Sequence, residues 1–352
     1  MTRASLSLFA LLCLVACDRK VVLGYAPDRD SGVPAPPPSP TDAAVAAEPP
    51  PSDAAVAVQS PPAPVSWPTG VHTGNELERY ESFAAWRGRP IDVALFFVDR
   101  TVGWPGVVEP GWPVDMLAGL DARLILALPL YPEGEGDNSS CAGGAYDEEW
   151  RKLGPFLIER GRGDSIIRLG WGPNDSAHDW RADDDPTDWI TCFRRTVEAI
   201  RSTGPELEIV WDFNPAGRPD NTALEPFDAY PGDAYVDFVG LEAFDRYPPA
   251  LDEASLASQC ESPTGLCSLF DFAREHGKRI GLSEWGLISC GDGGGGDNPF
   301  YVRSTFDLFA EHADLMGFEA YYEDSGELCS ALQDGDDNRA AAAEYRSLYG
   351  PR

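Results

Sequence analysis

Several short runs in this chain end in a carboxylate beside an aromatic residue, a pairing that suits proton transfer next to a polyhydroxylated ring. The sharpest is Ser283-Glu284-Trp285-Gly286, where Glu284 closes a strongly apolar run that begins at Arg279. A charge at an apolar position is costly unless it is paired or working. Glu284 therefore reads either as a nucleophile or as a buried salt-bridge partner for an arginine such as Arg168. Other runs end in Asp99, in Trp171 with Asn174 just beyond, in Trp211-Asp212-Phe213-Asn214, in Glu242 with Asp245, and in Glu319-Ala320-Tyr321-Tyr322-Glu323. Indole and phenol faces stack on the apolar C–H faces of a sugar, while Asn, Asp and Tyr hydrogen-bond its hydroxyls.

Eight β-branched and aromatic runs recur along the chain with helix-like stretches between them. They cover Thr69 to Thr73, Ile91 to Asp99, Arg123 to Tyr131, Ser165 to Gly172, Leu207 to Asn214, Tyr235 to Phe244, Arg279 to Gly286 and Leu315 to Tyr322. The clearest helix starts at Asp185-Pro186-Thr187 and places Trp189, Phe193, Val197 and Ile200 on one face. Strands that are apolar throughout, alternating with helices, predict a parallel sheet covered on its outer side, and eight such units close into a single (β/α)8 TIM barrel of the α/β class. An open doubly wound sheet would carry a glycine-rich phosphate turn after its first strand, and Gly70-Val71-His72-Thr73-Gly74 does not supply one. In a barrel the chemistry belongs at the C-terminal strand ends, where the polar and aromatic residues cluster.

The ends of the chain set its surroundings. Arg3, the apolar stretch from Leu6 to Leu14 and Leu14-Val15-Ala16-Cys17 read as a signal peptide over 1–16 with a lipobox, Cys17 becoming the acylated N-terminus. Residues 17–66, with Pro36-Pro37-Pro38 and Pro49-Pro50-Pro51, read as a disordered Pro/Ala-rich tether, and 67–352 as the barrel. The expectation is an exported, membrane-anchored monomer that touches the membrane only through the lipid on Cys17. A formal charge of −31 repels phosphate backbones, which argues against nucleic acid as a partner. With Cys13 removed with the signal and Cys17 lipidated, Cys141, Cys192, Cys260, Cys267, Cys290 and Cys329 form an even set suited to disulfides. Of their fifteen possible pairings, only Cys260 with Cys267 is favoured by proximity. Neither the cysteine spacing nor the four histidines suggest a metal. The glycine-rich stretch Ser289 to Asn298 lacks calcium-loop spacing and reads as a flexible surface connection, and Asp334 to Asn338 reads as a solvated turn. No cofactor is expected.

Four segments, in order, resemble family 26 glycoside hydrolases, the group of β-mannanases and related β-glucanases. They are Gly70-Val71-His72-Thr73-Gly74, Ile167-Arg168-Leu169-Gly170-Trp171, Tyr235-Val236-Asp237-Phe238-Val239-Gly240, and Ile280-Gly281-Leu282-Ser283-Glu284-Trp285-Gly286. The similarity runs from about Trp67 to Tyr349. It implies a retaining mechanism on an oligo- or polysaccharide of β-linked mannan or glucan type, with Glu284 at the nucleophile position. The family's acid/base glutamate follows the fourth strand, where this chain has Gly172 within Trp171-Gly172-Pro173-Asn174-Asp175. Asp175, Asp179 and Glu242 are the candidate replacement acids. Arg168, Trp171, Asn174, Trp180, Trp211, Asn214, Trp285, Tyr321 and Asp99 are candidate substrate-binding residues. If no acid replaces the missing one, the alternative is a catalytically inactive carbohydrate-binding barrel.

Overall fold

The structure, a computed structural model, describes residues 65–182, 185–216, 224–291, 293–333 and 337–351. The expected signal peptide, Cys17, nearly all of the tether and the acidic stretch 334–336 lie outside the described residues. Strands form at all eight expected runs: β1 Thr69–His72, β2 Val93–Phe97, β3 Arg123–Leu128, β4 Ile166–Leu169, β5 Glu208–Phe213, β6 Phe238–Phe244, β7 Arg279–Gly286 and β8 Met316–Tyr322. Each pairs in parallel with the next in chain order, and β8 pairs with β1, so the sheet closes into a (β/α)8 TIM barrel. The runs are apolar throughout because each strand is covered on both sides, by the barrel interior and by the helices outside. Several strands stop short of the predicted run. Asp99, Tyr131, Gly172 and Asn214 fall in the connections that build the C-terminal mouth.

The helix Thr187–Thr203 buries Trp189, Phe193, Val197 and Ile200 as its periodicity requires. Its start is fixed by Asp185, whose carboxylate accepts from the Thr187 backbone N–H at 3.0 Å and the Thr187 hydroxyl at 2.6 Å. Three disulfides link Cys141–Cys192, Cys260–Cys267 and Cys290–Cys329, with Cα separations of 4.9, 5.0 and 5.3 Å. The short-loop pair is thus as expected, and the structure adds the two long-range pairings.

The glycine-rich connection after β7 departs from expectation: it is docked, not free. Gly294 bridges Arg246, the Gly295 N–H donates to the Asp245 carbonyl at 3.2 Å, and the Asn298 amide donates to the Asp245 carboxylate at 2.7 Å. Glycine is required by proximity, since a Cβ at Gly293 would fall 2.3 Å from the Tyr247 ring and one at Gly295 would fall 2.0 Å from Asp245. Among the described residues no helix is long and apolar enough to cross a membrane.

Candidate active site

Alternation along a strand sends successive side chains to opposite faces, and this parity decides which residues reach the mouth. Arg168 of β4, Asp212 of β5, Glu242 of β6 and Glu284 of β7 project inward and meet. The buried Arg168 guanidinium donates through Nε to Asp212 at 2.6 Å, through one terminal nitrogen to Glu242 at 3.1 Å and through the other to Glu284. The ion-pair reading of Glu284 is therefore realised, yet the residue stays at the mouth with 7 % of its surface exposed. Glu242 and Glu284 are direct partners across β6 and β7, after a register irregularity between Val239 and Glu242. Adjacent strands run roughly 4.8 Å apart, so the two carboxyl groups are near neighbours.

One guanidinium faces three carboxylates, and the site answers by holding protons. Burial, reinforced by the neighbouring Glu284, pushes the Glu242 carboxyl up to about 8. Burial also raises Asp212 to about 6, against the pull of Arg168. Glu242 therefore keeps its proton to higher pH than an ordinary glutamate. Above this floor runs a chain of aromatic rings. Phe244 meets Tyr322 edge-on at 5.8 Å, Tyr322 stacks on His72 at 4.7 Å, His72 meets Phe97 at 5.2 Å and Phe97 meets Trp171 at 5.4 Å. His72 Nδ1 donates to the Leu95 carbonyl at 2.9 Å, and burial lowers its pKa, so the ring is neutral.

Other expected site residues lie elsewhere. Trp211 packs behind the sheet, 5.1 Å from Tyr230 and 6.2 Å from Phe272. Trp285 lies 5.6 Å from Phe309 and donates its indole N–H to Glu319, while Tyr321 donates to the Ser330 carbonyl at 2.7 Å. Each of these three is out of phase with the inward residues of its strand, so none lines the mouth. His72, Phe97, Phe244 and Tyr322 take that place, and they were legible only as the positions in phase with the inward residues.

The polar loop candidates are held by backbone. Asn174 donates to the Asn214 carbonyl at 2.7 Å and accepts from the Asn214 N–H at 3.1 Å, so the pair ties two loops together. Asp175 accepts from the Ala177 N–H at 2.9 Å and the Asn214 amide at 3.3 Å, and Asp179 accepts from the Gly134 N–H at 2.8 Å. Asp99 bonds the Thr101 hydroxyl and N–H, which hold its carboxyl below the usual range, and it faces solvent. Trp180 is buried, donates to the Trp171 carbonyl at 2.9 Å and stacks on His178 at 4.5 Å. Of the three replacement acids, only Glu242 meets Glu284.

Gly172 has a left-handed φ of 57°, and a Cβ there would lie 3.2 Å from the His178 ring. A glutamate would be strained and would meet that imidazole. Among the described residues no group of three or more His, Cys, Asp or Glu is arranged to hold a metal.

An eight-stranded parallel barrel with carboxylates gathered at its C-terminal mouth defines the class. Among solved structures it is similar to the catalytic domain of a family 26 endo-β-1,4-mannanase from a Bacillus species, with a TM-score of 0.58 and 12 % identity over 80 % of this chain and 85 % of that one. A modular endo-β-1,4-mannanase from Cellulomonas fimi gives a TM-score of 0.58 and 15 % identity over 81 % of this chain and 70 % of that one. The GH26C protein of a Muricauda species gives 0.51 and 14 % over 73 % and 78 %. At these identities the likeness is one of fold, and in fold the resemblance to family 26 holds. No protein-family model and no curated protein sequence matches the chain.

Proposed function

We propose that this chain is a glycoside hydrolase acting with retention on a β-linked polysaccharide of mannan or β-glucan type, with Glu284 as nucleophile and Glu242 as acid and base. One observation carries the reading: Glu242 and Glu284 are partners on adjacent strands and share one guanidinium, and burial beside Glu284 raises the Glu242 carboxyl above the usual range. Retaining enzymes use two carboxyl groups close together, about 5–5.5 Å apart, and here both accept from the two terminal nitrogens of one guanidinium. Arg168 holds one Glu284 oxygen, and the other attacks the anomeric carbon. As the bond to the leaving oxygen breaks, Glu242 gives that oxygen its proton. The Glu242 carboxylate then takes a proton from water, which attacks the anomeric carbon, breaks the glycosyl ester and frees Glu284. The rings of Phe97, Trp171, His72, Tyr322 and Phe244 flank the sugar.

An exported lipoprotein is the matching cellular reading, with signal peptide 1–16, lipid on Cys17, tether 17–66 and a monomeric barrel 67–352. Three disulfides support an oxidising compartment. The second reading, a sugar-binding barrel without turnover, is favoured by Gly172, whose backbone and neighbour His178 leave no place for the family's acid. A 2-fluoro aryl glycoside separates the two. A covalent adduct on the peptide carrying Glu284, absent in Glu284→Gln, is the expected result. Oligosaccharide binding with neither adduct nor turnover of any activated glycoside would leave only the binder.

A further inference from the structure

Beyond β6 the mouth-side alternation of Glu242 and Phe244 continues to Arg246. Its guanidinium lies 5.6 Å from the Phe244 ring centre and 5.7 Å from that of Tyr247, whose side chain is largely exposed. The closest polar side chain it meets is Asn214, at a long 3.4 Å. Among the described residues no carboxylate comes within ion-pair distance of it, although the chain holds 58 acidic against 27 basic residues. Glu242, on the wall of the same cavity, feels its charge through space but forms no ion pair with it, so this half-buried guanidinium keeps its fork available to a ligand. It faces a cavity of about 290 Å³ whose wall includes Glu242, Phe244, Tyr247, Gln259 and Thr264. Tyr247 is fixed above it in a left-handed conformation, φ 54°, by the docked glycine-rich connection.

We infer that this cavity is a subsite for an anionic sugar unit, a uronic acid whose carboxylate pairs with Arg246 while its ring lies on Tyr247. The inference rests on the proposed sugar-cleaving site and narrows its substrate to β-linked chains that carry uronic acid beside the cut. A guanidinium matches a carboxylate with two parallel hydrogen bonds, and its rigid fork sets the ring's orientation. The protein's overall negative charge opposes polyanions at long range, but that field is screened within about 8 Å at physiological ionic strength, whereas the contact pair is not.

The test is calorimetric binding of the full chain to a panel of β-linked oligosaccharides containing glucuronate, mannuronate or galacturonate, each beside its carboxyl-reduced twin. The expected result is at least tenfold tighter binding of an acidic member than of its reduced twin, from one charge-assisted pair. Arg246→Gln should bring the two within about twofold while Arg246→Lys keeps part of the preference. Thermal melting checks that both variants are folded. If Arg246→Gln does not fold, the comparison of Arg246→Lys with wild type decides, because an Arg246-dependent preference must fall when the fork is lost. Equal binding of each pair, or a preference that survives Arg246→Gln, overturns the subsite and leaves the proposed hydrolase standing. Binding of neither form overturns the subsite and the sugar reading of the mouth together.

Discussion

Replacing Arg168 with methionine removes the positive charge at the centre of the site while keeping most of the side-chain volume. Asp212, at 2.6 Å and fully buried, and Glu242, at 3.1 Å, lose their partner together with Glu284. Breaking a buried pair by removing one member costs about 3–5 kcal/mol. In a domain of this size each kcal/mol moves the melting temperature by roughly 2–4 °C, so the variant should melt about 6–20 °C below wild type at pH 8. The sign with pH follows from linkage. Without Arg168, whose charge pulls both groups down, the raised Asp212 and Glu242 carboxyls hold their protons to still higher pH in the folded state, which favours the fold where they are protonated and disfavours it as pH rises through their folded pKa values. The deficit should therefore be smaller at pH 5 than at pH 8. Adding Asp212→Asn should recover part of the loss. Melting followed by circular dichroism with the disulfides intact gives all three values. A variant within about 3 °C of wild type at pH 8, with no pH dependence of the difference, would show that the four groups do not form the cluster described.

Three more expectations follow from the same geometry. Turnover of an aryl glycoside by wild type should fall as pH rises through about 8, where Glu242 loses its proton, and Glu242→Gln should lose about 10²–10⁴-fold on poor leaving groups; a profile flat from pH 6 to 9 argues against Glu242 as the acid. Gly172→Glu should destabilise by about 1–2 kcal/mol from its left-handed backbone and add no turnover, and a gain in rate would show that this loop can still present an acid. Glu319 is buried and raised by burial from 4.5 to about 8, so the folded state keeps its proton while the unfolded state gives it up, and stability falls as pH rises across that window. Glu319→Gln keeps an acceptor for the Trp285 indole and should flatten the decline in melting temperature between pH 5 and 9; an unchanged decline would place its cause elsewhere.

The barrel was legible because each strand is covered on two sides, and two-sided burial writes an unbroken apolar run into the sequence. Glu284 and Glu242 were legible as charges that such runs do not otherwise tolerate. Which of Asp175, Asp179 and Glu242 partners Glu284 was not, since the irregularity between Val239 and Glu242 sets which residues face each other, and no composition rule reports it. Tryptophan is the obvious choice for a sugar platform, yet Trp211 and Trp285 have the wrong parity and serve the helix layer. Smaller rings at Phe97, Phe244 and Tyr322 have the right one. Asp175, Asp179, Asn174 and Asn214 bond neighbouring loops, contacts that depend on the three-dimensional course of connections whose sequences carry no periodic signal.

The bridge between Cys290 and Cys329 staples the connection after β7 to the one after β8, immediately above the strand that carries Glu284. A recombinant sample made in a reducing host would lack that staple, and a poor yield or a silent assay from such material would report on its redox history rather than on its carboxylates. Oxidative production, checked by thiol titration, is therefore a precondition for reading any substitution at this mouth.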